Sequence, residues 1–482
     1  MSNIDRRQFV LGAAAIGLSG SALTVLLDAC NRKGSTTTEG WPVDLKSANL
    51  QIHHLLRRAG FSPNQSEIDK YSKMGVKATT QSLLDYEKVD NTALENRLAG
   101  ITVDTKNLAD LQRWWLLRMV YTQRPLQEKM TLFLHGLLTS GFSKVVNGPY
   151  MLAQNKLLRS QAIGDYGELL KAISRDPAMM LWLDSATNHK ATPNENFARE
   201  LMELFSLGIG NYTETDVREA ARAFTGWELS NGAFVFNTAQ HDTGSKTFLG
   251  QTGNFTGDDI IDIIMKQPAA AKFICRKMFE FFVYDNPDDP VVSHLAAVFT
   301  QNNRSLKAVM NEILSSTEFY SANAYRAKVK SPVELVAGMI RGLNIETNGL
   351  ELVNPVNGMG QSLFNPPNVA GWKGGTSWIN SATMIYRLNF ANTVATARQK
   401  GFVFDPAQTL LQNGVAQPQG AVDYFTNLLI DGVIPDSERK ILLSYLNVSS
   451  STTVSSSSAW ATDEQLRSLT YLVLCSPDYQ LA

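Results

Sequence analysis

Between Pro193 and Glu228 the chain reads PNENFARELMELFSLGIGNYTETDVREAARAFTGWE, with apolar residues recurring at helical rather than strand spacing. At about 100° per residue, Asn196, Arg199, Glu200, Glu203 and Ser206 share one sector, and Phe197, Leu201, Met202, Leu204 and Phe205 take the other side. Gly208 and Gly210 supply a C-terminal stop. Thr213, with Asp216 three residues on, opens a second helix whose inward stripe is Val217, Ala220, Ala221 and Phe224. Two such helices must each bury a face against other elements, which points to a helical core. The polar sector of the first has two readings. One is a solvated face with an Arg199–Glu203 pair at i,i+4. The other is the wall of a cleft.

The same period recurs on both sides of this pair. Helices are expected over 45–60, over Leu108–Tyr121, from Pro125 onward, within 151–190, and in a series from Asp258 to Leu474. The only β signal follows the central pair: Trp227–Leu229 and Ala233–Phe236 flank the turn dipeptide Asn231-Gly232, with Lys246–Leu249 as a third strand. The expected fold is mainly α, a single large multi-helix domain over 45–482 with a small β-hairpin insert at about 227–250. A Ser/Thr-rich run at 449–458 reads as a surface loop. Formal net charge is −1, so no basic surplus argues for nucleic acid. Cys275 and Cys475 sit in apolar helical patterns and read as buried free thiols.

The N-terminus is a targeting segment. Asp5-Arg6-Arg7-Gln8-Phe9 matches the twin-arginine pattern, and Val10–Leu27 follows without a charge. Leu27-Asp28-Ala29-Cys30 resembles a lipoprotein cleavage box, although Asp28 stands where a small residue is usual. Residues 1–29 are thus read as a leader and 30–44 as a polar tether. The expectation is export by the twin-arginine route to the periplasm or cell envelope, with attachment to the membrane through lipidated Cys30.

No HExxH, GxSxG, Walker loop or CxxCH occurs. What remains for chemistry is a dispersed set. Glu200, Glu203, His241 and Asp242 are the candidate catalytic groups, since carboxylates with histidine can do acid–base work. Arg199, Lys246, Trp372, Trp378 and Asn380 are the candidate substrate contacts; the tryptophans fall in or beside a Pro/Gly/Asn-rich interruption at 361–377. His135, between Phe133-Leu134 and Leu137-Leu138, is the candidate ligand for a divalent metal, against the plainer reading of a packed core histidine.

NENFARELMELFSLGIGNYTETDVREAARAFTGWEL resembles the signature of the bacterial family called domain of unknown function 1800. HHLLRRAGF (53–61), HDTGSKTFLG (241–250), FNPPNVAGWKGGTSWINSATMIYRLNFAN (364–392) and YLVLCSPDYQ (471–480) resemble it as well. The resemblance implies an exported, largely helical protein whose activity is not established. Relatives often carry a His-x-His pair where this chain has His135 and Leu137, which weakens a metal role here. Two functions stand side by side. One is an exported hydrolase acting on a polymer or glycoconjugate, with the HDTGSK and Trp372 loops closed over Glu200 and Glu203. The other is a non-catalytic envelope lipoprotein that holds a co-exported protein or a glycan.

Overall fold

The computed structural model describes residue 45, residues 47–447 and residues 461–482; the leader, the tether and the Ser/Thr-rich loop lie outside them. The chain is mainly α, with twenty-three α-helices and only small sheets of two or three strands among the described residues. The longer helices agree with the apolar periodicity, among them Leu108–Tyr121, Pro125–Leu137, Pro332–Gly342, Ser381–Ala395 and Asp463–Cys475. Leu350–Gly358 was not anticipated, because Pro355 lies inside it.

Two apolar cores share helices. Pro125–Leu137 gives Leu126, Met130 and Leu134 to the first core and Leu132 to the second. Pro177–Trp182 likewise gives Met179 and Met180 to one and Ala178 to the other. A helix buried on both sides is apolar nearly all round, as FLHGLL is. One buried carboxylate in this interior is fully matched. Glu128, fully buried, accepts from Arg118 Nε at 3.1 Å, Arg159 Nε at 2.7 Å and Trp115 Nε1 at 3.1 Å. Both cysteines are buried free thiols.

The hairpin forms as its turn demands. Asn231 and Gly232 both take left-handed φ, and Trp227 faces Phe236 across the antiparallel pair. The third strand does not join it. Lys246–Phe248 pairs instead with Gln251–Gly253, while Thr247 N and Leu249 N donate to Glu219 and Asp216 on Glu214–Ala223. Those carboxylates take backbone donors that a longer sheet would have used. A further sheet of two-residue strands, Glu346–Thr347, Phe402–Val403 and Arg398–Gln399, carried no sequence signal. No helix among the described residues is long and apolar enough to cross a membrane.

Candidate functional site

The central helix spans Asn196–Glu203, and Phe197, Ala198, Leu201 and Met202 form its buried face. Its polar face differs from the expected pairing. Arg199 reaches back to Glu195 at 3.1 Å and across to both oxygens of Glu214 at 2.8 Å, so no Arg199–Glu203 pair forms. A planar guanidinium engages a carboxylate edge-on, and Glu214 at the start of the next helix offers that geometry. Glu203 accepts from Tyr212 Oη at 3.0 Å. Ser206 is not on this face; it lies beyond the helix, buried, with Oγ donating to Leu201 O. Glu200 alone is half-buried with no hydrogen bond or ion pair from its carboxyl to other described residues. Burial first, then the neighbouring Glu203, raises its pKa above the ordinary carboxylate value, against the pull of Arg199.

The HDTGSK loop is held by its own side chains. Asp242 is gripped by Arg222 Nε at 2.7 Å and Nη2 at 3.2 Å, and Arg222 also binds Glu219. The His241 ring is buried, its Nδ1 2.9 Å from the Thr225 carbonyl. Lys246 is buried, and its ammonium donates to the carbonyls of Asp242 at 2.6 Å and Gly244 at 3.0 Å. Such an arrangement satisfies a tight loop and leaves Asp242 and Lys246 committed.

The Pro/Gly-rich interruption packs on the end of Pro125–Leu137. A Cβ at Gly371 would stand 2.2 Å from Gly136 O, and Thr139 Oγ1 donates to Val369 O at 2.7 Å. Trp372 lies 5.6 Å, ring to ring, from His135, which is also boxed by Trp115 and Phe364. This histidine stands 1% exposed, and burial holds its pKa down to about 4. An aromatic box offers a metal no further donor, and no group of three or more His, Cys, Asp or Glu among the described residues could hold an ion. Trp378 is buried, and Asn380 caps Ser381–Ala395 by accepting from Thr383 N at 3.0 Å. Both positions have a structural use.

The predicted segments do approach one another, through residues that carried no motif. Asp184, in a left-handed backbone conformation, accepts from Lys144 Nζ at 2.8 Å and from Asn196 Nδ2 at 3.3 Å. Lys144 also donates to Trp182 O at 2.7 Å. Next to it, Ser143 N donates to Asn365 Oδ1 at 2.9 Å, and Phe142 N to Phe364 O at 2.8 Å. The next turn, closed between His189 and Thr192, reaches the HDTGSK side through Lys190 N, which donates to Gln240 O at 2.9 Å. A polar seam thus runs from Asn365 over Ser143 and Lys144 to Asp184 and Asn196, one helical turn from Glu200, with half-buried Trp182 alongside. The Asn365-Pro366-Pro367 and Leu183-Asp184-Ser185 turns were the only local hints. A separate concavity of about 520 Å³, lined by Trp114, Arg118, Lys156 and Arg159 among others, includes none of the predicted residues.

A family model described as "Protein of unknown function (DUF1800)" matches residues 54–481. No curated protein and no solved structure matches the chain.

Proposed function

The chain belongs to the DUF1800 family, and on that premise we propose that it is an exported envelope lipoprotein that binds a glycan without cleaving it, on the seam from Asn365 to Asn196. One observation carries this reading. Asp242, Lys246 and His241 are spent on contacts inside a tight loop, whereas Lys144, Asp184 and Asn196, though bonded to one another, keep ammonium, carboxylate and amide groups at a half-open surface. Amides and a carboxylate beside an indole suit the hydroxyls and apolar face of a sugar ring. The test is binding of envelope glycans by the purified full chain, compared with Asn196→Ala and Asp184→Ala. Retained melting temperature with at least tenfold weaker binding is expected in both; unchanged binding would remove the seam.

A second reading rests on Glu200. A half-buried carboxyl with a raised pKa beside Glu203 has the character of a general acid, which would make the chain a hydrolase of the same class of polymer. Glu200→Gln separates the two. The binding reading expects unchanged affinity and no turnover in either protein, and the hydrolytic one expects turnover that the substitution abolishes.

Export and anchoring belong to the same proposal, supported by Arg6-Arg7 and by Cys30 after an uncharged stretch. Replacing both arginines by lysine is expected to leave precursor in the cytoplasm, visible by fractionation. Cys30→Ser is expected to abolish lipid labelling and release mature protein from membranes; persistent labelling would refute the lipoprotein assignment.

A further inference from the structure

Several segments that match the family meet at a buried cluster of charges well apart in sequence from the central helix. HHLLRRAGF brings His53, Arg57 and Arg58, the 364–392 segment brings Arg387, and the closing segment brings Asp478, Tyr479 and Gln480. Cations outnumber carboxylates there. Arg57 pairs with Asp431, Lys129 with Glu334, and Arg326 with Asp478. Arg58 is taken up by the carbonyls of Phe281, Phe282 and Val283 at a helix end. Lys330 and Arg387 form no ion pair with a carboxylate among the described residues; the acid that acts on both, Glu334, is paired with Lys129. Lys330, 2% exposed, lies with Nζ 3.5 Å from the centre of the Tyr479 ring. Arg387, 1% exposed, donates Nη2 to Lys330 O at 2.8 Å and Nη1 to Gln480 Oε1 at 3.2 Å. Its Nε, and the hydroxyl of fully buried Tyr479, have no hydrogen-bond partner among the described residues.

We propose that a small monovalent inorganic anion of chloride or bromide size binds between Lys330, Arg387 and Tyr479 and holds the C-terminal segment to the core. The three groups supply an ammonium, an N–H and an O–H, and no carboxylate among them answers these donors. Leaving a cation buried without a counter-charge is costly, and a guanidinium cannot relieve it by losing its proton. Burial first, and then Arg57, pushes the Lys330 amine well below the lysine range, against the pull of Glu334, whose ion pair is with Lys129. The location suits a staple. Lys330 N donates to Gln480 O at 2.9 Å, and Ala482 N to Lys328 O at 2.8 Å, so the anion would sit under the ladder that docks the chain end.

Thermal unfolding of the purified full chain in sodium chloride or bromide, against sodium isethionate at equal ionic strength, tests the site. A halide that binds only the folded form raises the melting temperature by about 2–4 °C when well above its dissociation constant. Lys330→Met keeps the length of the side chain and removes its charge. It is expected to lose the halide dependence while melting no lower than wild type in isethionate. A flat wild-type response, or an equal halide shift in the variant, overturns the proposal. If the variant does not fold, crystals soaked in bromide decide: an anomalous peak in hydrogen-bond reach of Lys330 Nζ supports the site, and peaks at the surface only refute it.

Discussion

Replacing Glu128 by Gln is expected to remove about 3–5 kcal/mol of unfolding free energy, the usual cost of breaking a buried ion cluster by deleting one sign of charge. Glu128 is fully buried, and two guanidiniums and the indole N–H of Trp115 converge on its two oxygens. Burial alone would raise its pKa, but Arg159 and Arg118 outweigh that and lower it, so it is a carboxylate in the folded chain. Glutamine preserves the volume and one acceptor oxygen. It places an NH₂ where a guanidinium donates and leaves the Arg118–Arg159 pair short of a counter-charge. The contrast is Glu95→Gln, which also removes a carboxylate from Arg118, at 2.7 Å, but from a side chain 55% exposed. There the loss is about 0–1 kcal/mol, because water replaces the partner. Equilibrium denaturation of the two variants measures the difference. Equal losses would show that burial does not set the strength of this network.

Acidification gives the second large effect. His135 has its pKa held down from 6.5 to about 4 because burial disfavours the imidazolium. In the unfolded chain the same histidine takes up a proton below 6.5, so the unfolded state binds more protons between the two values. Stability is therefore retained above pH 6.5 and lost as the pH falls toward 4, by about 3 kcal/mol in all for this residue. His135→Phe keeps an aromatic ring among Trp115, Phe364 and Trp372 and removes the titration. The variant is expected to lose about 3 kcal/mol less than wild type between about pH 7 and pH 4. His53, lowered to about 4 by burial and by Arg57, keeps its own share of the acid sensitivity in both proteins. Parallel pH profiles for wild type and variant would show that His135 is solvated or charged in the fold.

The candidate site was only partly legible for a related reason. Glu200 lies on the polar face that periodicity assigned to it, because a face follows from the helical repeat alone. The partners of that face did not follow. Glu214 and Glu203 were both available to Arg199, and the angle between two helices chose Glu214. Asp242 and Lys246 carry the charges expected of an active site, yet a loop that must satisfy its own carbonyls uses the same residue types.

The helical class, the longer helices, the Asn231-Gly232 hairpin and the family were legible in the order of residues, since all of them depend on spacing within a few turns or on contiguous motifs. Which charges neutralise which was fixed by the packing of distant elements. Glu128 found Arg159 thirty-one positions away, Arg57 found Asp431 across 374, and Asp184 gathered Lys144 and Asn196 from two other elements. The physical reason is that a local pattern reports how much of a residue is buried, whereas the cost of a buried charge depends on what stands opposite it, and that is set by how distant helices cross.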